Sequence, residues 1–384
     1  MRALSNRTRA NLRHGLSSSA HRLRNSSSTS VGHRKRIGAT FDIDGVLVRG
    51  NEQLPGARDA LLLLAHAGVP FIYLTNGGGE REWKKAAKLE KLLGIPVHPD
   101  QIVLSHTPLR PRIAQHKDER ILVLGCREVV DVARSYGATR PVDISTLAHD
   151  DPSRYPFKSY DLRPAPDGED PIRAVYMLHD PNDWGVEIQI TMDVLRGGAP
   201  LGSGKSQSIP MFASNPDLTF AGLHAVPRLA AGSFIVALRS VWREVTGSEL
   251  IVEQVGKPTA TTFSFAHAQL RRWEAQSAAL GFWRDIEAGG AVAGDGILPR
   301  AQLQQSPTPD VSAAAPFDFI AHVGDNPAAD VRGANAAAAP WHSILVRTGV
   351  WRGPRGSNDA RDPARFVVDD VSAAARVILA QCTA

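Results

Sequence analysis

Residues 37–47 read Ile-Gly-Ala-Thr-Phe-Asp-Ile-Asp-Gly-Val-Leu. The apolar run over 37–43 predicts a short buried strand, and two acids, Asp42 and Asp44, stand at its end. Alternate residues of an extended chain point the same way, so both carboxylates are expected to face one crevice. Because neighbouring carboxylates repel each other, a bound divalent cation is one arrangement that holds both.

The residues that follow alternate between helical and strand patterns. The apolar stretch 57–67 predicts a helix that ends at Gly68, and 70–74 predicts a second buried strand. Residues 80–93 predict a further helix. Strands that alternate with helices are typical of an α/β fold, in which a parallel sheet carries helices on its faces.

Three further polar motifs stand near the ends of predicted strands. They are Thr75-Asn76-Gly77, Gly256-Lys257-Pro258 and Gly324-Asp325-Asn326-Pro327-Ala328-Ala329-Asp330. Open α/β sheets bind their ligands at the carboxyl ends of the strands. We therefore expect the four motifs to converge on one site.

The residue types in these motifs suit phosphoryl transfer. Mg²⁺ prefers hard oxygen ligands, which the acids offer, and a phosphoryl group needs a positive clamp such as Lys257. The Thr75 hydroxyl can donate a hydrogen bond to a phosphate oxygen. Asp42 can attack phosphorus to form an aspartyl-phosphate, and Asp44 can protonate the leaving oxygen and then deprotonate the attacking water.

Between the second and third motifs the chain predicts an inserted unit. It holds strands at 121–124 and 174–178, a helix at 129–135, and a polar, Pro-rich loop over about 140–170. The buried strand 209–213 is assigned to the returning core. The predicted division is therefore a tail at 1–36, a core built from 37–99 and 209–384, and an inserted unit at 100–208. Within the core, the low-complexity residues 276–316 predict a disordered surface insertion.

The formal net charge of +5 is concentrated at the N-terminus. Residues 1–36 contain eight Arg, one Lys and no acid, which leaves 35 basic and 39 acidic residues for the rest. A nucleic-acid-binding body is therefore not expected, and no apolar run reaches the length of a membrane-spanning helix. The Arg- and Ser-rich tail is typical of a mitochondrial transit peptide. The alternative is a disordered basic tail without a targeting function.

The order and content of the four motifs resemble the haloacid dehalogenase (HAD) superfamily of phosphohydrolases. Asp-x-Asp-Gly-Val-Leu, Thr-Asn-Gly, Gly-Lys-Pro and Gly-Asp-Asn-Pro-x-x-Asp together resemble its class IIA subgroup, in which an α/β (C2-type) cap is inserted between the second and third motifs. Residues 41–50, 102–108 and 324–335 are similar to the cat eye syndrome critical region protein 5 group, whose members are typically mitochondrial. The resemblance implies a Rossmann-like core with a parallel sheet, and a cap at 100–208.

The resemblance also implies roles for the charged residues. Asp42 would be the nucleophile and a Mg²⁺ ligand, and Asp44 the general acid and base, with its backbone carbonyl also on the metal. Lys257 would neutralise charge on the phosphoryl group and on Asp42. Asp325 would ligate Mg²⁺ directly, and Asp330 would act on the metal through water or orient Lys257.

Further residues are implied to bind the substrate. Thr75 would hold the transferring phosphoryl group, with Asn76 and Gly77 beside it, and Lys257 would contact the same group. Asn215 belongs to an Asn-Pro-Asp segment that resembles a class IIA segment beside the site.

The implied function is Mg²⁺-dependent hydrolysis of a small phosphomonoester through an aspartyl-phosphate. The resemblance further implies a link with glycerophospholipid metabolism, a homodimer formed through the cap, and a location in the mitochondrial matrix, with the cytoplasm as the alternative. Two other functions remain open at this point. One is a phosphomutase, and the other is a phosphate-binding regulatory protein without physiological turnover. A hydrolytic dehalogenase is disfavoured, because halide release does not need the proton that Asp44 would supply.

Overall fold

The computed structural model describes residues 35–163, 170–220, 224, 226–283 and 315–382. The tail expected at 1–36 lies outside the described residues except for its last two positions, and so does the segment 284–314 of the expected surface insertion. The beginning of that expected insertion is helical, because the long helix that starts at Ala260 continues to Leu280. Among the described helices, none is long and apolar enough to cross a membrane.

The first sheet contains six parallel strands. Their spatial order is β15 (Phe366–Val368), β14 (Trp341–Val346), β13 (Phe319–Gly324), β1 (Ile37–Phe41), β4 (Phe71–Leu74) and β5 (Ile102–Val103). Along β4, Phe71 and Tyr73 enter one hydrophobic cluster, whereas Ile72 and Leu74 enter another. Strands buried on both faces read as continuous apolar runs, which is why the sequence identified the central strands.

Helices cover both faces of this sheet, and we call the sheet with these helices the core. One face packs against α1 (Ala57–His66), α2 (Glu82–Leu93) and α10 (Val371–Ala380). The other face packs against α8 (Ala260–Leu280) and α9 (Arg332–Ala337). A π-helical turn, Pro327–Val331, leads from β13 into α9. A small hairpin, β2 (Val48–Arg49) with β3 (Glu52–Gln53), follows β1.

The second sheet contains five parallel strands and forms the centre of the cap. Their spatial order is β12 (Glu253–Gln254), β9 (Met211–Ala213), β8 (Ala174–Met177), β6 (Arg120–Leu124) and β7 (Arg140–Asp143). One face packs against α5 (Ile144–Asp150), α6 (Trp184–Arg196) and α7 (Ala231–Thr246), and the other against α3 (Arg110–Gln115) and α4 (Val129–Ser135). A hairpin of β10 (Thr219–Phe220) and β11 (Arg228–Leu229) precedes α7. The predicted α/β class, with a parallel-sheet core and an inserted α/β unit, is confirmed.

The strand at 209–213 lies in the cap and not in the core, so the assignment made from sequence is wrong at this point. β9 pairs with β8, and α7 buries Phe234, Leu238 and Trp242 in the cap cluster. The cap sheet therefore continues to Gln254, well past the boundary expected at 208. A short apolar strand can be buried in either sheet. Its hydrophobic pattern alone therefore does not indicate which strands it pairs with.

The polar loop expected over about 140–170 is in part regular structure. Residues 140–143 form β7, and α5 follows at once, with the Asp143 side chain accepting a hydrogen bond from the Thr146 N–H at the helix start. Pro141 lies in β7, which is an edge strand of the cap sheet. Edge strands tolerate proline, so a strand can have a polar, Pro-containing sequence. Such a sequence is also typical of a loop, and it therefore did not predict the strand.

Candidate active site

The carboxyl ends of three neighbouring core strands bring the first, second and fourth motifs together. β1 lies between β13 and β4, so Asp42, Thr75 and Asp325 each follow one of three adjacent parallel strands. Lys257 reaches the same edge from the turn between β12 and α8. The four motifs therefore lie near one another at the carboxyl edge of the core sheet.

Lys257 is the centre of the site. Its side chain is only 2 % exposed, and its ammonium nitrogen lies 3.0 Å from Asp42 Oδ1 and 2.6 Å from Asp330 Oδ1. The ammonium also donates to the Leu74 carbonyl oxygen at 2.9 Å. Burial opposes the charge, but the two carboxylates outweigh it and raise the pKa of Lys257. Lys257 is therefore a fixed cation beside Asp42.

Asp330 holds that cation in place, and both of its carboxylate oxygens already have partners in the protein. Its Oδ1 lies 2.6 Å from Lys257 and 3.0 Å from His322 Nε2. Its Oδ2 accepts the backbone N–H groups of Asp325 and Asn326 at 3.1 and 2.9 Å. Burial alone would raise the pKa of Asp330, but Lys257 and His322 reverse the effect and lower it. Of the two roles that the resemblance implied, this geometry favours orientation of Lys257.

Asp42 and Asp325 differ from Asp330 in that their pKa values are raised and not lowered. Burial raises the pKa of Asp42 well above its ordinary value; Lys257 acts against this, and Asp330 and Asp325 add to it. Burial likewise raises the pKa of Asp325 to about 7, with the charge of Asp330 acting in the same direction. Two such carboxylates are poorly neutralised by Lys257 alone.

The carboxylates fit a divalent cation. Asp42, Asp325 and Asp330 each offer a carboxylate oxygen, and the three oxygens lie within 4.8 Å of one another. Within the described residues, no group hydrogen-bonds Asp42 Oδ2, since Ile43 N–H and Lys257 both bind Oδ1. Hard oxygen ligands with excess negative charge are the donor set that Mg²⁺ prefers. Asp42 and Asp325 are the side chains that would hold the ion.

Asp44 does not join this carboxylate group through its side chain. The residue is exposed, and its backbone forms a bridge to Val48 in the hairpin that follows β1. Its charge adds slightly to the raised pKa of Asp42. Its predicted roles as general acid and base, and as a metal ligand through its carbonyl, stay predictions.

The second motif forms a buried cradle beside Lys257. The Thr75 hydroxyl oxygen accepts the Gly77 N–H at 3.1 Å, which leaves its own proton for a ligand. The Asn76 side chain accepts the Lys257 backbone N–H at 2.7 Å and donates to the Lys257 carbonyl at 2.9 Å. Asn76 therefore orders the backbone of Lys257.

The Asn-Pro-Asp segment supports this cradle. The Asn215 side chain accepts the Asp217 N–H at 3.1 Å, and Asn215 has a positive φ of 53°. The Asp217 carboxylate accepts a hydrogen bond from Asn76 at 3.0 Å. Asn215 thus shapes the turn that presents Asp217, and its predicted contact with substrate stays a prediction.

Two residues of the site were missed from the sequence. The Asn-Pro-Asp pattern gives Asp217 no role of its own, and His322 is a lone polar residue in the apolar run of β13. His322 Nδ1 and the Thr40 hydroxyl lie 2.7 Å apart, and its Nε2 contacts Asp330. A buried histidine placed in a strand just before an acidic motif is the signal that could have identified it.

Two family models match this chain. A haloacid dehalogenase-like hydrolase model matches residues 39–139, and a HAD-hydrolase-like model matches residues 254–374. A mitochondrial hydrolase of Saccharomyces cerevisiae is 33 % identical over 353 residues, which span 88 % of this chain and 94 % of that protein. The α/β fold and these matches define a hydrolase. The chain belongs to the haloacid dehalogenase-like hydrolase family, as its motifs predicted.

Two further relatives are matched over only about half of their own length. A cardiolipin synthase/mitochondrial hydrolase fusion protein of Schizosaccharomyces pombe is 31 % identical over 344 residues, 86 % of this chain; the chain spans about half of that protein, 51 %. The glycerol-3-phosphate phosphatase of Mus musculus is 32 % identical over 151 residues, which cover 37 % of this chain and 44 % of that protein.

Solved structures share the fold. A hypothetical protein from Pyrococcus horikoshii superposes with a TM-score of 0.59 at 20 % identity, covering 89 % of this chain and 99 % of that chain. A glycerol phosphate phosphatase from Mycobacterium tuberculosis, in complex with magnesium, superposes with a TM-score of 0.53 at 19 % identity, covering 88 % of this chain and 76 % of that chain. The predicted HAD core with an inserted cap is therefore confirmed.

Proposed function

We propose that the protein is a Mg²⁺-dependent phosphatase that hydrolyses a small phosphomonoester through an aspartyl-phosphate on Asp42. The observation that carries this proposal is the position of the Lys257 ammonium, 3.0 Å from Asp42 Oδ1 in a site where the lysine is only 2 % exposed. A buried cation beside a carboxylate favours its ionised form against the burial that raises the pKa of Asp42, and it attracts a phosphoryl group to the site.

The side chains of the site then have defined roles in the reaction. Asp42 Oδ2, which no described residue hydrogen-bonds, attacks phosphorus while Lys257 neutralises the phosphoryl oxygens. The Thr75 hydroxyl donates a hydrogen bond to a phosphoryl oxygen. The exposed Asp44 protonates the leaving oxygen and later accepts a proton from the water that releases phosphate. Asp42 and Asp325 would hold Mg²⁺, which would supply the further positive charge that the transferred group requires.

The substrate we propose is a small polyol phosphate of the glycerol phosphate type. One relative is named a glycerol-3-phosphate phosphatase, and another is fused to a cardiolipin synthase, which supports a link with glycerophospholipid metabolism. Two relatives are named mitochondrial hydrolases, and together with the Arg-rich N-terminus they support a mitochondrial location.

Phosphate release from purified full-length protein tests the proposal. The substrates are 4-nitrophenyl phosphate, glycerol 3-phosphate, sugar phosphates and lipid phosphates, each with Mg²⁺ and with EDTA. We expect Mg²⁺-dependent release of phosphate to water. Transfer of the phosphoryl group to a sugar would support the phosphomutase, and tight phosphate binding without turnover of any substrate would support the regulatory protein.

A further inference from the structure

A histidine and a threonine form a buried polar pair in the middle of the core sheet. His322 and Thr40 lie in the neighbouring parallel strands β13 and β1, and the strand register places them directly opposite each other. They are 1 and 0 % exposed, respectively. The Phe263 ring of α8 meets the imidazole edge to face, with 5.3 Å between the ring centroids. The proposed reaction uses neither residue of the pair.

The partners of the imidazole determine which ring nitrogen carries its proton. Nε2 of His322 lies 3.0 Å from Asp330 Oδ1, and an ionised carboxylate can only accept a hydrogen bond. Nδ1 lies 2.7 Å from the Thr40 hydroxyl oxygen, whereas the Ala321 carbonyl, the other acceptor near that hydroxyl, lies 3.4 Å away. Hydroxyl hydrogen bonds are typically about 2.7–2.8 Å long, so the Thr40 proton belongs to the bond with Nδ1. Thr40 and Asp330 therefore fix the same tautomer, with the proton on Nε2.

The surroundings favour this neutral imidazole. Burial lowers the pKa of His322 by more than the hydrogen bond and the charge of Asp330 raise it. A neutral ring has one N–H, and the two distances assign that N–H to the bond with Asp330. His322 is therefore a dipolar donor, and it adds no second full charge beside Lys257.

Asp330 and Asp42 compete for one ammonium group. The Lys257 nitrogen lies 2.6 Å from Asp330 Oδ1 and 3.0 Å from Asp42 Oδ1, so it lies nearer to the carboxylate that does not react. The His322 N–H points to the same oxygen of Asp330, and its partial positive charge offsets part of the charge on that oxygen. Without this donor, Asp330 would attract the ammonium more strongly, and Asp42 and a phosphoryl group would attract it less effectively.

We propose that His322, in the tautomer that Thr40 supports, is a positioning residue that keeps Lys257 shared between Asp330 and Asp42. The inference rests on the proposed phosphatase function, because it concerns the cation that neutralises the transferring phosphoryl group. His322 touches no reacting atom and acts through Asp330. Its removal should therefore slow the chemical step more than it weakens substrate binding.

Nitrogen-15 NMR of native protein labelled at histidine tests the arrangement directly. The His322 signals are identified by their absence from His322→Gln, and the ring nitrogen that carries the proton is read from its coupling to hydrogen. We expect the proton on Nε2. A proton on Nδ1 alone would overturn the proposal. The measurement requires no turnover, so it decides the inference even if no phosphomonoester is hydrolysed and the proposed function fails.

Two replacements of His322 separate its positioning role from its packing. Phenylalanine fills the space of the ring but has no N–H, whereas the amide of glutamine can place an N–H near the position of Nε2. With 4-nitrophenyl phosphate and Mg²⁺, we expect kcat of His322→Phe to fall roughly tenfold with little change in KM. His322→Gln should retain most of the native kcat. Equal kcat values for the two variants would overturn the proposal.

His342→Phe is the matched control, since it makes the same replacement in the neighbouring strand β14. His342 pairs with Ala321 in the register and packs on the Phe319 ring, with 4.3 Å between the ring centroids. Ala321 and Phe319 belong to the hydrophobic cluster on the other face of the sheet. The kcat of His342→Phe should therefore match the native value. A tenfold loss in this variant as well would show that any such change in the sheet slows turnover, and it would overturn the proposal.

Discussion

The Lys257 ammonium and the Asp330 carboxylate form an ion pair of 2.6 Å in which neither side chain is more than 2 % exposed. Asp330 is in turn fixed by His322 and by two backbone N–H groups. The position of the cation beside Asp42 therefore depends on a network that the substrate need not touch. A buried pair of this kind is costly to break from one side, because the remaining charge has no compensation.

Replacement of Lys257 by Met should affect both stability and turnover. The change leaves Asp330 buried with its main cationic partner removed, and we expect a loss of about 3–5 kcal/mol in the free energy of unfolding. Phosphatase activity should fall to background, since Asp42 also loses its neighbouring cation. Urea denaturation followed by circular dichroism measures the first effect, and phosphate release measures the second.

Arg243→Met is the matched control for that experiment. Arg243 pairs with Glu249 on the surface, where the two side chains are 57 and 65 % exposed. Exposed pairs contribute little to stability, so the urea midpoint should barely change. If Lys257→Met unfolded at the same urea concentration as Arg243→Met, the buried pair would contribute no more to stability than the exposed one.

The stability of the metal-free protein should fall as the pH rises through the range in which Asp325 titrates. Burial raises the pKa of Asp325 from 3.8 to about 7, so between these values the folded state binds more protons than the unfolded state. By proton linkage the free energy of unfolding then decreases with increasing pH. Thermal unfolding in EDTA at pH 5.5 and pH 8 measures the effect, with a higher Tm expected at pH 5.5.

Two comparisons show whether Asp325 is the group responsible. Asp325→Asn should reduce the difference between the two pH values, because the amide does not titrate. Mg²⁺ should also reduce it, since a cation stabilises the ionised carboxylate and raises the Tm at pH 8. An unchanged pH dependence in Asp325→Asn would show that other groups cause it.

Gly349 should tolerate no side chain, because it lies directly against a proposed metal ligand. A Cβ atom at this position would come within 1.8 Å of Asp325 Oδ2, which also accepts the Val350 N–H at 2.5 Å. Gly349→Ala must therefore displace the Asp325 carboxylate. We expect the Mg²⁺ concentration for half-maximal activity to rise by roughly tenfold or more, in line with other changes that misplace metal ligands.

Gly50→Ala provides the comparison, since a Cβ atom there would meet nothing within 4 Å. Its positive φ of 61° imposes some strain on alanine, but it contacts no ligand. The Mg²⁺ dependence of Gly50→Ala should match that of the native protein. Equal Mg²⁺ requirements for both alanine variants would argue against Asp325 as a ligand.

The convergence of the motifs was predictable, whereas the network around them was not. Asp42, Thr75 and Asp325 follow buried parallel strands, and the geometry of such sheets gathers their carboxyl ends at one edge. The pairing of Asn76 with Asp217 joins residues 141 positions apart, and the pairing of Asp330 with His322 depends on how the turn after β13 folds back towards that strand. No local pattern encodes such contacts.

The same limit applies to the cap. β9 is as apolar as a core strand, and only its pairing with β8 and the packing of α7 place it in the cap sheet. β7 lies at an edge of that sheet and contains Pro141, so it lacks the continuous apolar run that identified the central strands. Sequence patterns therefore located buried central strands better than edge strands or domain boundaries.

The most direct test of the proposed aspartyl-phosphate mechanism is the identity of the residue that is phosphorylated during turnover. Full-length protein is mixed with substrate and Mg²⁺, quenched in acid within milliseconds, digested, and analysed by mass spectrometry beside Asp42→Asn. We expect a phosphoryl group on the peptide that contains Asp42 in the native protein, and neither that label nor turnover in Asp42→Asn. Phosphate release at the native rate by Asp42→Asn would contradict it.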